Sequence, residues 1–196
     1  MIFDIGGVLE ACPPTGWRER WAALLTIEPP DMGRRLNSIW NDGSTGRITL
    51  QQVEERTATA LGLDQVALRG FMNDAWTEYL GTLNEELAEY FSRLRPRYMT
   101  GIVSNSFVGA REREQAAYGF EDMCDVVVYS HEEGWCKPDP RIYLTACERL
   151  GVLPSEAVFL DDVQRCVDGA RDVGMKAVRF LDTRQAIAEV NDHLDG

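Results

Sequence analysis

Met1-Ile2-Phe3-Asp4-Ile5-Gly6-Gly7 joins an apolar run to an acid and then to a pair of glycines. Met1-Ile2-Phe3 reads as a short buried strand that Asp4 stops. Gly6-Gly7 marks a place where the backbone turns or comes close to a ligand. The same pattern returns downstream. Tyr98-Met99-Thr100-Gly101-Ile102-Val103 is an apolar run ending at Ser104, and Ala157-Val158-Phe159-Leu160 ends at Asp161-Asp162. Val126-Val127-Val128-Tyr129 and Lys176–Leu181 add two more strands. Helical stretches fall between them: Asn84 to Leu94, Ala110 to Tyr118, one opened by Asp139 as N-cap and Pro140 as first residue, one running to Gly174, and a last one. Strands that alternate with helices and are apolar throughout argue a parallel sheet covered on both faces. The expected fold class is α/β, with a Rossmann-like parallel sheet between helical layers.

One region breaks the alternation. After Pro13-Pro14 the pattern is helical from Trp17 to about Leu80. Trp17, Trp21, Leu24 and Leu25 recur at helical spacing, as do Met32, Leu36, Ile39 and Trp40. Thr49 has the place of an N-cap, with Gln52 as its capping-box partner. Val53, Ala60 and Leu61 then form an apolar stripe, and Leu68, Phe71, Met72 and Trp76 a fourth helix. No strand is expected there. The implied organisation is a core of residues 1–12 and 83–196 with a helical insert at 13–82. An insert at that point stands over the carboxyl ends of the strands, where open α/β sheets bind ligands.

Composition narrows the function. The 196 residues are 44% hydrophobic, enough for one packed core with an insert. Acidic residues outnumber basic ones 32 to 20, for a formal charge of -12, which argues against a nucleic-acid partner. A small anionic substrate remains compatible, because a metal and a few local cations reverse the field inside one pocket. The five cysteines form no CxxC pair and suggest neither a disulfide framework nor a zinc site. No stretch approaches the roughly 20 apolar residues of a membrane span. The first residues carry no secretory pattern, so a cytoplasmic setting is expected. The short first strand leaves room for a natural start slightly upstream. Oligomeric state has no signal in the pattern.

Asp4, Ser104, Asp161 and Asp162 all leave apolar strands at one edge of the expected sheet. Singly, a strand-end Asp or Ser is an ordinary cap or turn residue, and Lys137 an ordinary loop lysine. Together, three carboxylates and one lysine at one edge call for a divalent cation and an anionic ligand to balance them.

Phe3-Asp4-Ile5-Gly6-Gly7-Val8-Leu9, Ile102-Val103-Ser104-Asn105-Ser106, Lys137-Pro138-Asp139-Pro140 with Ile142-Tyr143, and Phe159-Leu160-Asp161-Asp162 resemble, in order and spacing, the four motifs of the haloacid dehalogenase-like superfamily. The insert resembles that family's small helical cap. The resemblance implies a Mg²⁺-dependent hydrolase acting on a small phosphorylated metabolite. Asp4 would be the nucleophile, forming an aspartyl-phosphate. The Asp4 carboxylate, the Gly6 carbonyl and Asp162 would bind Mg²⁺, with Asp161 as ligand or support. Ser104 and the Asn105 backbone N–H would hold the phosphoryl oxygens, and Lys137 would neutralise charge on Asp4 and the phosphoryl group.

Gly6 departs from the pattern. Phosphatases of this superfamily carry there a second Asp that protonates the leaving oxygen. Loss of such a group costs about 10²–10⁴-fold in rate. Three readings follow: a phosphatase restricted to good leaving groups such as aryl, acyl or sugar-1-phosphates, a metal-independent 2-haloacid dehalogenase, or an impaired phosphate-binding or protein-interaction module. Glu10 is a candidate stand-in for the missing acid. Trp21, Trp40 and Trp76 are expected to pack among the helices, while Trp17, Arg18 and Trp135 are candidates for substrate contact. His131 and His193 are not spaced as ligands or as part of a triad, and His193 is expected to be exposed.

Overall fold

The computed structural model describes residues 1–195. The chain opens with strands β1 (Ile2–Phe3) and β2 (Glu10–Ala11), then helices α1 (Trp17–Leu24), α2 (Pro29–Ser44), α3 (Leu50–Leu61) and α4 (Gln65–Leu80). Next come β3 (Thr82–Leu83), α5 (Glu85–Arg93), β4 (Gly101–Ser104), α6 (Ala110–Tyr118), α7 (Phe120–Met123) and β5 (Val126–Tyr129). The last part holds α8 (Ser130–Glu133), α9 (Pro140–Leu150), β6 (Val158–Asp161), α10 (Gln164–Asp172), β7 (Lys176–Arg179) and α11 (Thr183–Asp195).

Five strands form one parallel sheet in the order β5-β4-β1-β6-β7. This is the α/β, Rossmann-like arrangement that the alternation of elements implies. Side chains alternate across the pleat. Ile2, Val103 and Phe159 therefore pack into one layer, while Phe3, Ile102 and Leu160 pack into the other. Both layers are closed by helices, which is why the inner positions of β1, β4, β5 and β6 are apolar, while the edge strand β7 exposes Lys176 and Arg179. Helices α1 to α4 bury a third cluster of their own around Trp17, Val53 and Phe71, joined by Phe107 from the connection after β4 and Ala110 at the start of α6.

Local signals hold at the expected places. Thr49 and Gln52 make a reciprocal capping box, and Asp139 caps α9 through Arg141 N–H with Pro140 in the first turn.

Two readings are corrected. The run from Tyr98 does not become strand until Gly101, because Tyr98 N–H bonds back to the Leu94 carbonyl and closes the turn after α5. Similarly, β7 ends at Arg179, and Leu181 is exposed. The structure also adds a two-stranded antiparallel ribbon that the sequence did not suggest. Glu10 pairs with Leu83 and Ala11 with Thr82, which brings the two crossings into the helical segment side by side.

Candidate active site

Strand order does most of the assembly. Because β4, β1 and β6 are neighbours, Ser104, Asp4 and Asp161 lie side by side at their carboxyl ends. Asp4 N–H still donates to the Leu160 carbonyl at 2.9 Å, so its position is fixed by the sheet although the strand has ended.

Lys137 arrives from the segment after α8 and is buried. Its Nζ lies 2.6 Å from Asp4 Oδ1 and 2.6 Å from Asp161 Oδ2, and donates to the Val103 carbonyl at 3.0 Å. All three ammonium donors are thereby used. Asn105 fixes the lysine from behind: its Oδ1 accepts from Lys137 N–H at 2.7 Å and its Nδ2 donates to the Lys137 carbonyl at 3.1 Å. The Asn105 side chain thus positions the lysine, a role that the sequence did not suggest.

Asp161 is fully buried, with Oδ2 on Lys137 and Oδ1 accepting from Val163 N–H at 2.8 Å. Both oxygens are engaged, so this side chain is held rigidly. Asp4 takes Lys137 and the Ile5 N–H on the same oxygen, Oδ1. Asp162 is half-buried, and ligand atoms of Asp4, Asp161 and Asp162 all lie within 4.8 Å of one another. Burial pushes the Asp4 carboxyl up to about 7, against the pull of Lys137, with Asp161 adding to the rise. Burial likewise opposes the charge on Lys137, but Asp4 and Asp161 outweigh it and hold its pKa above the ordinary value. Asp162 is raised by burial and then by Asp161.

These carboxylates outnumber the one ammonium among them, and their oxygens are the donors that a hard divalent cation takes. The donor set fits Mg²⁺. Close packing supports the same point. Gly7 has φ +78°, and a Cβ placed on it would meet Asp162 Oδ2 at 2.5 Å. Gly7→Ala is therefore expected to push Asp162 aside and, in a cluster that holds Mg²⁺, to weaken Mg²⁺ affinity by about 10–100-fold, the usual cost of disturbing the support of a ligand. Calorimetric Mg²⁺ titration of the two proteins checks it.

A hollow of about 260 Å³ adjoins this cluster. Gly6, Ser104 and Asn105 line it from the sheet edge, and Trp17, Arg18, Trp40, Glu78 and Tyr79 from the helical segment. Glu10 and Glu114, both buried, complete the wall. Burial, then Glu114 and Asp4, push the Glu10 carboxyl up to about 9. Glu114 is also raised by burial, against the Tyr129 hydroxyl that donates to its Oε2 and the Tyr79 hydroxyl beside it. A Cβ at Gly6 would meet nothing within 4 Å, so that position opens onto free space.

The structure brings together the sequence-derived set: Asp4, Lys137, Asp161 and Asp162 form the charged cluster, and Gly6, Ser104 and Asn105 border the hollow. Trp17 and Arg18 reach that hollow, but Trp135 does not line it. The Arg141 guanidinium stacks on the Trp135 ring instead, 3.1 Å from its centroid. Trp40 packs among the helices and lines the hollow as well. His193 is half-buried rather than exposed. His131, which no spacing rule singled out, shares a 2.6 Å hydrogen bond with Ser106 Oγ. Glu114 and Tyr79 were not anticipated either, since nothing in a charged helix or an aromatic-rich one marks which side chain turns inward.

Comparison with known proteins bears on the family and the fold. Bifunctional epoxide hydrolase 2 of Sus scrofa is 39% identical over 213 residues, covering 96% of this chain and 37% of that protein. D-ribitol-5-phosphate phosphatase of Bacteroides thetaiotaomicron is 21% identical over 188 residues, covering 90% of this chain and 88% of that one. A HAD family enzyme from Bacteroides thetaiotaomicron, crystallised with magnesium and inorganic phosphate, superposes with a TM-score of 0.77 at 21% identity, covering 91% of each chain. The chain spans between 18% and 37% of the length of the first curated relatives it matches. The profile described as haloacid dehalogenase-like hydrolase matches residues 2–174, and the chain belongs to that family.

Proposed function

We propose that the protein is a Mg²⁺-dependent phosphoric monoester hydrolase acting on a small phosphorylated metabolite. The observation that carries this reading is the buried Lys137 ammonium held at 2.6 Å from both Asp4 and Asp161, with Asp162 beside them. In this reading the Asp4 carboxylate attacks phosphorus, the P–O bond to the organic group breaks, and its electron pair leaves on that oxygen. Water then cleaves the aspartyl-phosphate, releasing inorganic phosphate and restoring Asp4. Lys137 offsets charge on Asp4 and on the incoming phosphoryl group. Ser104 and the Asn105 N–H hold phosphoryl oxygens. Asp4, the Gly6 carbonyl and Asp162 hold the metal, and Asp161 supports the lysine. Bound Mg²⁺ supplies charge neutralisation and orientation of the phosphoryl group. Residues 13–82 act as a cap over the site, in keeping with their share of the hollow's lining.

The dehalogenase reading is disfavoured by the same cluster, since the acids grouped around Asp4 ask for a cation that such chemistry does not use. Relatives and structural neighbours named as phosphatases and as a magnesium complex support the phosphatase reading. The test is hydrolysis of an aryl phosphate with Mg²⁺ present and after chelation. Turnover is expected to vanish with chelation and to return with added Mg²⁺. Turnover that ignores chelation rejects the reading.

Gly6 limits the leaving group in this reading, because no carboxyl stands there to donate a proton. The open space around its Cβ position lets the missing side chain be installed. Gly6→Asp is expected to raise turnover of alkyl phosphates by about 10²-fold or more, and that of aryl phosphates by much less. Equal gains on both classes would reject the leaving-group argument.

A further inference from the structure

Ser130 opens α8 and is fully buried. Its hydroxyl oxygen accepts the Ser106 N–H at 2.9 Å and donates to the Ser44 carbonyl, also at 2.9 Å. The Ser106 carbonyl stands at 3.3 Å as an alternative acceptor. A hydroxyl has one proton, so it serves one carbonyl at a time. With the helical segment in place, the shorter contact, to Ser44, takes that proton. The Ser106 hydroxyl is not free to substitute, because it is engaged with His131 Nδ1 at 2.6 Å.

Ser130 thereby ties together distant parts of the chain. Ser106 directly follows Ser104 and Asn105, which hold the phosphoryl oxygens in the proposed reaction. Ser44 is the last residue of α2, in the helical segment. That helix end is pressed closely onto the core. Val108 N–H donates to the Gly43 carbonyl at 3.2 Å. A Cβ at Gly43 would meet the Phe107 ring at 2.6 Å, and one at Gly46 would meet the His131 carbonyl oxygen at 1.8 Å. Glycine at both places permits the approach. Cys136, next to Lys137, adds a weak contact to the same Ser44 carbonyl at 3.8 Å. We infer that Ser130 is a positioning residue that couples the seating of the helical segment to the loop that holds the phosphoryl group. With the segment seated, Ser44 takes the hydroxyl proton, and the oxygen anchors the Ser106 N–H and with it the backbone after β4. With the segment lifted, the proton passes to the Ser106 carbonyl, and the loop loses its tie across the seam. This rests on the phosphatase reading and adds what sets its phosphate-holding loop.

The test is calorimetric titration of inorganic phosphate in the presence of Mg²⁺. Ser130→Ala leaves the Ser106 N–H without its acceptor and is expected to weaken phosphate binding by about tenfold, the order of one hydrogen bond. Mg²⁺ affinity is expected to stay unchanged, since Ser130 bonds to none of the acids around Asp4. With phenyl phosphate, KM is expected to rise by about tenfold with little change in kcat, the mark of a loop that holds substrate and transition state alike. Gly46→Ala acts from the other side, by unseating the end of α2, and is expected to weaken phosphate binding by a similar factor. The double variant is expected to match Ser130→Ala alone, because both changes cut one link. Phosphate affinity and KM unmoved by Ser130→Ala would overturn the positioning role. Losses that multiply in the double variant would overturn the coupling to the helical segment. If Ser130→Ala does not fold, Gly46→Ala decides by itself, and unmoved phosphate affinity in that protein overturns the inference. Phosphate that fails to bind the unaltered chain with Mg²⁺ would reject the phosphatase reading instead.

Discussion

Asp4→Asn is expected to lower turnover of an aryl phosphate by on the order of 10⁴-fold or more, as removal of an attacking nucleophile does elsewhere. The substitution is nearly isosteric, and the residue sits where the sheet fixes the backbone through the Leu160 carbonyl. The amide keeps an oxygen for the Ile5 N–H and for Lys137, so the site's shape is expected to survive. Circular dichroism and a melting curve close to those of the unaltered chain would show that the fold is retained. A variant that stays folded and still turns over at the original rate would remove Asp4 from the chemistry, and with it the proposed reaction.

Lys137→Met is expected to affect stability as well as rate. Its ammonium is the cation between Asp4 and Asp161, which are both buried. Methionine fills similar volume but leaves two carboxylates facing each other without it. Breaking a buried ion pair from one side costs about 3–5 kcal/mol. Urea denaturation under chelation should show a loss of that order. Added Mg²⁺ should return part of it, because a cation bound to the folded state shifts the equilibrium toward folding. A variant as stable as the original chain under chelation would mean that the carboxylates do not need the lysine.

The sheet and the charged cluster were legible because each rests on a local pattern that the parallel fold makes global. Asp4, Ser104 and Asp161 end apolar strands, and parallel strands put their ends at one edge. Lys137 was legible only through its motif, since nothing about a loop lysine says that it turns inward. The ribbon was not legible: two-residue strands such as Glu10–Ala11 are too short for any period to show. Glu114 was hidden for a different reason. It lies in Ala110-Arg111-Glu112-Arg113-Glu114, where every charged side chain has the same claim to solvent. Tyr129, 15 residues further on in β5, supplies the hydroxyl that receives it inside. Asn105 illustrates a third limit. Its motif implies a backbone contact with phosphate, whereas its side chain serves a lysine 32 positions away.

The pairing of Glu10 with Leu83 and of Ala11 with Thr82 gives the helical segment a single stalk. A tight hairpin turn joining Ala11 directly to Thr82 would suit that antiparallel register, and none of the five sheet strands lies in the piece removed. The helices are thus graftable: a different bundle spliced at the same stalk would meet the same acids and the same lysine. The seam to be resurfaced includes Phe107 and Ala110, which pack beneath the helices, the Arg113 guanidinium over the Trp76 ring, and Ser130 and Tyr118, whose hydroxyls donate to the Ser44 and Leu80 carbonyls. Such an exchange would replace the wall of the hollow formed by Trp17, Arg18, Trp40, Glu78 and Tyr79 and keep the one formed by Glu10, Ser104 and Glu114.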